Sequence, residues 1–285
     1  MKLLITGAGG QLGQEWVFFC KTKNVSYKAF TSAELDITSE ETLLYSIQEF
    51  NPDAVVNCAA YTKVDQAEDE EEKAELVNAT APGVLSEVCK KQGVKLVHYS
   101  TDYVFSGTKK DQSELPDGYP ETYQTDPINV YGRTKRNGEV AIQESGCEYL
   151  ILRVSWLCGT YGNNFVKTML RLGQERDKLT VVNDQFGSPT FADQVVEQSF
   201  ELIKQNRKGI FHLSSEGTTT WFEFAKEIFT QRQLDVEVVP VASSEFRTKA
   251  VRPHFSKLST QKISTIPGVT ILSWRDGLKR LLTTI

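Results

Sequence analysis

Residues 2 to 21 restrict the fold of this chain more than any other stretch. Lys2-Leu3-Leu4-Ile5-Thr6 is a short apolar run suited to a fully buried strand. Gly7-Ala8-Gly9-Gly10-Gln11-Leu12-Gly13 follows at once, and a helical stretch runs from Gln14 to about Lys21. Glycines at 7, 10 and 13 fit a Gly-x-x-Gly-x-x-Gly spacing; the commoner Gly-x-Gly-x-x-Gly register would need glycine at 12, where Leu12 stands. Both spacings work for one reason. Without side chains the backbone can touch a pyrophosphate, which sits at the positive N-terminus of the helix. A glycine-rich turn alone says little, but between a strand and a helix it predicts a dinucleotide-binding unit.

The alternation continues down the chain. The spacing predicts strands over 26–30, 54–57, 94–100 and 149–154, and helices over 39–50, 73–92 and 129–143. That order dictates an α/β fold with a doubly wound, Rossmann-like parallel sheet, whose ligands sit beyond the carboxyl ends of the strands. At that rim stand Gly7 to Gly13, Cys58-Ala59-Ala60-Tyr61, Ser100-Thr101-Asp102 and Val154-Ser155-Trp156. Composition excludes several classes. The chain has 285 residues, 40% of them hydrophobic, enough for a large core. A net charge of -5 without a basic cluster argues against nucleic acid, and residues 68–75 read as one solvated acidic helix face. No apolar run approaches the ~20 residues of a membrane helix. Cys20, Cys58, Cys89, Cys147 and Cys158 are scattered without a Cys-x-x-Cys pair, which fits reduced thiols. Met1-Lys2 leads straight into the first strand, so no secretory leader is expected and the cytoplasm is the expected location.

Chemistry enters with Asn129-Val130-Tyr131-Gly132-Arg133-Thr134-Lys135. Side chains four apart on a helix share a face, so Tyr131 and Lys135 can reach one pocket. An ammonium beside a phenol favours the phenolate and lowers its pKa, which tunes a proton donor toward working pH. The second predicted strand ends Phe30-Thr31-Ser32, with hydroxyls and no carboxylate to grip a ribose 2'-hydroxyl. NADPH is therefore the expected cofactor, with NADH also possible.

The stretch KLVHYSTDYVFSG, from Lys95 to Gly107, together with YGRTK resembles the extended short-chain dehydrogenase/reductase family. Closer still, Ala60-Tyr61-Thr62-Lys63-Val64-Asp65-Gln66-Ala67-Glu68 is similar to a segment of the dTDP-4-dehydrorhamnose reductase family. So are Arg153-Val154-Ser155-Trp156-Leu157, Gly162-Asn163-Asn164-Phe165-Val166, Asp184-Gln185-Phe186-Gly187-Ser188-Pro189-Thr190 and Arg252-Pro253. The resemblance implies reduction of the C4 ketone of a dTDP-4-keto-6-deoxyhexose to dTDP-L-rhamnose. It also implies a dinucleotide-binding domain over 1–156 and a smaller, interleaved C-terminal substrate lobe over 157–285, with segments returning to the first domain. It carries Thr101, Tyr131 and Lys135 over as the catalytic set: a hydroxyl on the carbonyl oxygen, a proton donor, and a holder of the nicotinamide ribose. The expected cofactor contacts are Gly7, Gly10, Gln11, Leu12, Gly13, Asp36, Ile37, Cys58, Ala59, Ala60 and Tyr61, with Tyr131 and Lys135. Related dehydratases carry Asp-Glu after the equivalent threonine; here Asp102-Tyr103 follows Thr101, which leaves ketone reduction.

The expected substrate contacts are Thr101, Asp102, Tyr103, Trp156, Asn163, Asn164, Gln185, Ser188 and Arg252. Several have plain structural alternatives. Trp156 either stacks on sugar or thymine or fills a core, and one of Asn163 and Asn164 caps the helix that follows. Arg252 either binds the diphosphate, which its planar fork suits, or makes an ordinary ion pair. The aromatic run from Trp221 to Phe229 reads as core, and His98 and His212 as satisfied histidines within strands. Some family members pair subunits through a metal held near Glu15 and by the C-terminal helix. Residues 275–285 offer only Asp276, so no metal is assigned and a monomer or weak homodimer is expected. Two other functions stay open: a catalytically silent NADP-binding regulatory subunit, as in the methionine adenosyltransferase beta subunit, and a reductase of another dTDP-4-keto sugar.

Overall fold

The computed structural model describes every residue from Met1 to Ile285. One parallel sheet of six strands runs in the order β2 (Ser26–Phe30), β1 (Lys2–Thr6), β3 (Ala54–Asn57), β4 (Lys95–Thr101), β5 (Tyr149–Val154) and the strand Gly209–Leu213. The order reverses between β1 and β3, and the glycine turn and Cys58–Tyr61 leave the sheet at that point. This is where a doubly wound sheet opens a crevice.

Side-chain alternation assembles the layers. Leu3 and Ile5 enter one core with Trp16, while Leu4 enters the other with Leu43 and Leu85. Both faces are covered, so β3 and β4 are buried along their whole length. Helix α1 (Gln11–Thr22) starts three residues before the expected Gln14. The glycines explain the early start. Gly7 has φ +68, and a Cβ there would stand 2.5 Å from the Ala59 nitrogen; a Cβ on Gly13 would stand 2.3 Å from the Gly7 oxygen. Without those atoms α1 can begin directly on the turn. Helix α2 (Glu40–Phe50) begins behind Ser39, whose side chain accepts from the Thr42 backbone N–H.

The helix expected over 73–92 runs from Glu71 to Gln92 but widens into a π turn at Leu76–Thr80. Pro82 has no N–H to offer the Asn78 carbonyl, so the regular ladder cannot pass that point. The helix Val130–Ser145 packs closely there, and a Cβ on Gly138 would stand 2.1 Å from the Asn78 oxygen. Asn129 caps this helix by accepting from Gly132 N–H, and Gly146, in the left-handed region, closes it.

A second region has its own core. Lys178–Val182 pairs in parallel with Glu237–Val241, and helices Phe165–Glu175, Trp221–Arg232 and Trp274–Leu282 close around Met169, Phe224, Phe229 and Trp274. Intervening segments return to the large sheet: Gly209–Leu213 is its edge strand, and helix Ala192–Lys204 sends Val195, Val196 and Leu202 into the core with Leu3. No helix is long and apolar enough to cross a membrane.

Candidate active site

Thr101 is the last residue of β4, and its hydroxyl donates to Asp102 Oδ1 at 3.0 Å while accepting from the Tyr103 backbone N–H. Tyr131 stands in the first turn of the helix capped by Asn129, with its ring edge-on to Tyr103 at 5.8 Å between centroids. Lys135, one turn further on, is 1% exposed. Its Nζ donates to the Tyr99 carbonyl at 2.7 Å and lies 3.1 Å from His98 Nε2. Tyr131 and Lys135 therefore share a helix face as the sequence predicts, but the lysine engages β4 rather than the phenol. Their charges behave opposite to expectation. Burial pushes the Tyr131 hydroxyl pKa up, with Thr101 pulling the other way, and burial brings Lys135 down to about 8 despite Glu139 nearby. Loss of water disfavours both charged forms, and no ammonium sits close enough to the phenol to reverse that.

Asp102 is 3% exposed, and its Oδ2 has no hydrogen-bond partner. Burial pushes its carboxyl up to about 7, with the Ser256 and Thr101 hydroxyls pulling it down. An acid half-protonated near neutrality beside Thr101 was not foreseen from the sequence.

Most expected cofactor contacts flank the sheet crevice. At Gly7 and Gly13 a side chain would collide with the backbone of Cys58–Ala59 and of Gly7–Ala8, so only glycine lets the turn wind this tightly onto α1, which fits a pyrophosphate laid on the N-terminus of that helix. Leu12 offers only backbone there, because its side chain is in the core. Gln11 is tied to the second region, donating to the Leu157 carbonyl at 3.2 Å and accepting from Asn164 at 2.8 Å. Cys58, Ala59 and Ala60 are half-buried beyond β3, and Tyr61 turns aside, donating its hydroxyl to Glu70. Asp36 accepts from both the backbone N–H and the hydroxyl of Thr38, and Ile37 is a core residue. A carboxylate does stand at the end of β2: Glu34 folds back so that Oε2 accepts from Thr31 N–H and Thr31 Oγ1, both at 2.8 Å. The sequence reading missed it, because Glu34 lies four residues beyond the strand and returns through a turn.

The substrate candidates divide sharply. Tyr103, Gln185 and Arg252 line a cavity of about 710 Å³ with Phe165, Met169 and Trp221. Arg252 makes the ion pair expected of it, its Nη2 donating to Asp65 Oδ2 at 2.6 Å, while it also lines the cavity. Trp156 holds φ +46 and stacks on Trp221 at 3.6 Å with its Nε1 donating to Ser256. A bulky residue in that backbone region is strained and persists only where its surroundings fix it. Asn164 is the capping member of its pair, accepting from Lys167 N–H, while Asn163 is exposed. Ser188 is fully buried and donates to the Ser215 carbonyl, so it shapes the turn from behind the cavity wall. Phe165 and Trp221 were read only as a helix start and as core; their positions on the cavity wall depend on how the second region folds. No group of three or more His, Cys, Asp or Glu is placed to hold a metal. Beside Glu15, Arg280 pairs with Asp193 at 2.6 Å and with Glu197 at 2.7 Å.

Comparison with known proteins gives one consistent answer. A family model described as the RmlD substrate binding domain matches residues 1–285. A dTDP-4-dehydrorhamnose reductase of Escherichia coli (strain K12) is 39% identical over 258 residues, 87% of this chain and 84% of that one. A spore coat polysaccharide biosynthesis protein of Bacillus subtilis (strain 168) is 37% identical, over 99% of this chain and 96% of its own. Among solved structures, a dTDP-4-dehydrorhamnose reductase from Bacillus anthracis in complex with NADP superposes with a TM-score of 0.94 at 40% identity, covering 100% of this chain and 99% of that one.

Proposed function

This chain belongs to the RmlD family of dTDP-4-dehydrorhamnose reductases, and from that premise we propose how its own residues carry the reaction. It is an NADPH-dependent oxidoreductase that reduces dTDP-4-dehydrorhamnose to dTDP-L-rhamnose in deoxysugar biosynthesis. The observation that supports the residue assignment is the meeting of Thr101 and Tyr131 at the carboxyl end of β4, with Tyr131 edge-on to Tyr103, which lines the Arg252 cavity.

The bound reduced nicotinamide supplies the hydride. Everything else falls to the protein. Tyr131, kept neutral by burial, donates its proton to the carbonyl oxygen as negative charge grows there. Thr101 hydrogen-bonds the same oxygen, a contact that can be worth about 3 kcal/mol when preorganised. Its hydroxyl now points at Asp102; once Asp102 is protonated, the carboxyl can donate to Thr101 and leave the threonine proton free for the substrate. Lys135 offers a remaining N–H to the ribose hydroxyls. Arg252 and Gln185 receive the nucleotide part in the cavity, and Gly7 to Gly13 hold the pyrophosphate of the cofactor.

The same reading divides the chain at 156/157, into a dinucleotide-binding domain and a substrate lobe that lends segments back to the sheet. It places the enzyme in the cytoplasm, as a monomer or weak homodimer. The test is turnover with dTDP-4-dehydrorhamnose, followed as loss of NADPH absorbance, with NADH run alongside and the product identified by NMR. A silent regulatory subunit shows no turnover. The Bacillus subtilis relative acts in spore coat polysaccharide biosynthesis, and a sugar other than rhamnose in the product spectrum would move this chain to a different dTDP-4-keto sugar.

A further inference from the structure

Two buried groups in the site each have a hydrogen bond left to make. Asp102 Oδ2 has no donor, although the residue is 3% exposed. The Ser256 hydroxyl, also on a residue 3% exposed, faces Trp156 Nε1 at 3.2 Å. An indole N–H can only donate, so Ser256 Oγ is the acceptor of that bond and its own proton remains to be given. Burial pushes the Asp102 carboxyl up to about 7, and of the groups that pull it back the Ser256 hydroxyl acts most strongly. The two are therefore near enough to interact.

The backbone fixes Ser256 at this place. His254 and Phe255 N–H both donate to the Gly107 carbonyl, at 2.9 and 3.0 Å, and Ser256 N–H donates to the Phe186 carbonyl at 2.8 Å. Residues 254–256 are thus pinned to the segment that follows β4 on one side and to the lobe on the other. Trp156 meets them with its strained φ of +46 and its indole N–H on Ser256.

We propose that Ser256, oriented by Trp156, is a positioning residue that donates to Asp102 Oδ2 and so confines the acid proton to Oδ1, the oxygen facing Thr101. The consequence for the reaction rests on the reductase reading above. Thr101 Oγ1 has two lone pairs and one proton. It accepts from the Tyr103 N–H at 3.2 Å, and with Asp102 ionised it gives its proton to Oδ1 at 3.0 Å. With Oδ1 protonated that bond reverses. Both lone pairs of Thr101 are then filled, and its proton goes to the substrate carbonyl oxygen. A proton on Oδ2 would leave Thr101 donating to Oδ1 and lost to the substrate. It would also force Ser256 to turn its own proton away, unpaired in a buried place, which is costly.

Few charges compete at Asp102. Tyr131, on the helix Val130–Ser145, and Tyr103, on the turn itself, are phenols kept neutral by burial. Charged groups on the surrounding elements are engaged elsewhere: Lys135 with the Tyr99 carbonyl, Arg153 of β5 with Glu139, and Arg252 with Asp65. His254 is bonded to Gln112.

The test is carboxyl NMR on the substrate-free full chain with aspartate labelled at Cγ; the Asp102 resonance is the one lost in Asp102→Asn. Ser256→Ala takes a donor from the ionised form, so the Asp102 midpoint is expected to rise by roughly one pH unit. Ser256→Thr keeps the hydroxyl and is expected to hold the midpoint within ~0.3 unit. In turnover, Ser256→Ala lowers kcat about tenfold and moves its limb near neutrality upward, while KM for the nucleotide sugar stays within a factor of ~2. An unmoved midpoint or an unchanged kcat in Ser256→Ala overturns the proposal, and so does a Ser256→Thr that behaves like Ser256→Ala. In the unaltered protein the Ser256 hydroxyl proton is expected to exchange slowly with water and to shift through the Asp102 titration. A hydroxyl blind to that titration overturns the proposal as well, so a variant that fails to fold leaves the test intact. The NMR readouts need no turnover: the proposal can fail while the reductase reading stands, and an unaltered protein without turnover sinks that reading alone.

Discussion

The two halves of the site hold their ligands by opposite means. On the sheet side the structure removes atoms and charge: Gly7 and Gly13 lack side chains where a Cβ would collide, and Tyr131, Lys135 and Asp102 are all pushed by burial toward neutrality. In the lobe it adds them. Trp221 and Phe165 line the cavity, and Arg252 stands over the Tyr103 ring, paired with Asp65. The first arrangement suits a reaction in which one proton must move; the second suits recognition of a large, charged, partly aromatic molecule. Changes on the sheet side should therefore fall on kcat, and changes in the lobe on KM.

The sharpest break of that division comes from Tyr131→Phe. It removes the proton donor and leaves the ring packed against Tyr103, so kcat should fall about a thousandfold while NADP affinity, read by fluorescence titration, stays within a factor of ~3. Retained turnover would mean that another group supplies the proton. The counterpart in the lobe is Arg252→Ala, expected to raise the KM for the nucleotide sugar by roughly ten- to a hundredfold and to change kcat little. A fall in kcat with unchanged KM would place Arg252 in the chemistry and dissolve the contrast.

A third change probes charge alone. Asp102 has a folded-state pKa of about 7, raised above the ordinary carboxylate value by burial. Its stabilising contribution is thus fully present below pH ~4, where both states are protonated, and is lost as pH rises through about 7. Asp102→Asn removes this dependence, so the Tm of the variant relative to the parent should be higher at pH 8 than at pH 5 by a few degrees (~4 °C). Equal differences at both pH values would show that Asp102 is ionised throughout. In the same variant the acid–base limb near neutrality should flatten in the kcat profile.

How far the sequence reaches follows the same line between the halves. β3 and β5 stand at their expected residues because parallel strands buried on both faces are short, apolar and bounded by turns, and β2, a half-exposed edge strand, stands at its expected residues too. The glycine cradle was legible because it depends on what is missing from adjacent residues. The widened turn at Leu76–Thr80 was not, although Pro82 is its visible cause, since a helical pattern continues through it. His98 was correctly read as a buried, satisfied histidine, but its partner Lys135 lies 37 positions away and only the fold joins them. In the lobe, Trp156 kept both of its readings open from sequence. Its stack on Trp221 required two distant segments to be brought together, and neither carries a local signal of the other.

The smallest expected effect tests a point where the halves blur. Glu34 lies at the sheet end where the adenine ribose of a dinucleotide is received, yet it acts by charge, as the lobe does. Its carboxylate is held low by the backbone N–H and hydroxyl of Thr31, so it is ionised at neutral pH. A 2'-phosphate placed there would meet a negative charge in exposed surroundings, where water and salt screen most of the repulsion. The penalty is therefore small, which is compatible with use of NADPH while leaving room for NADH. Glu34→Gln keeps an oxygen for the Thr31 contacts and removes the charge. The ratio of kcat/KM for NADPH over NADH should rise about two- to fivefold, and more at low salt than at high salt. The difference between the two salts is the decisive reading. A steric or hydrogen-bond role for Glu34 would change the ratio equally at both, and only a field effect would fade as the ionic strength rises.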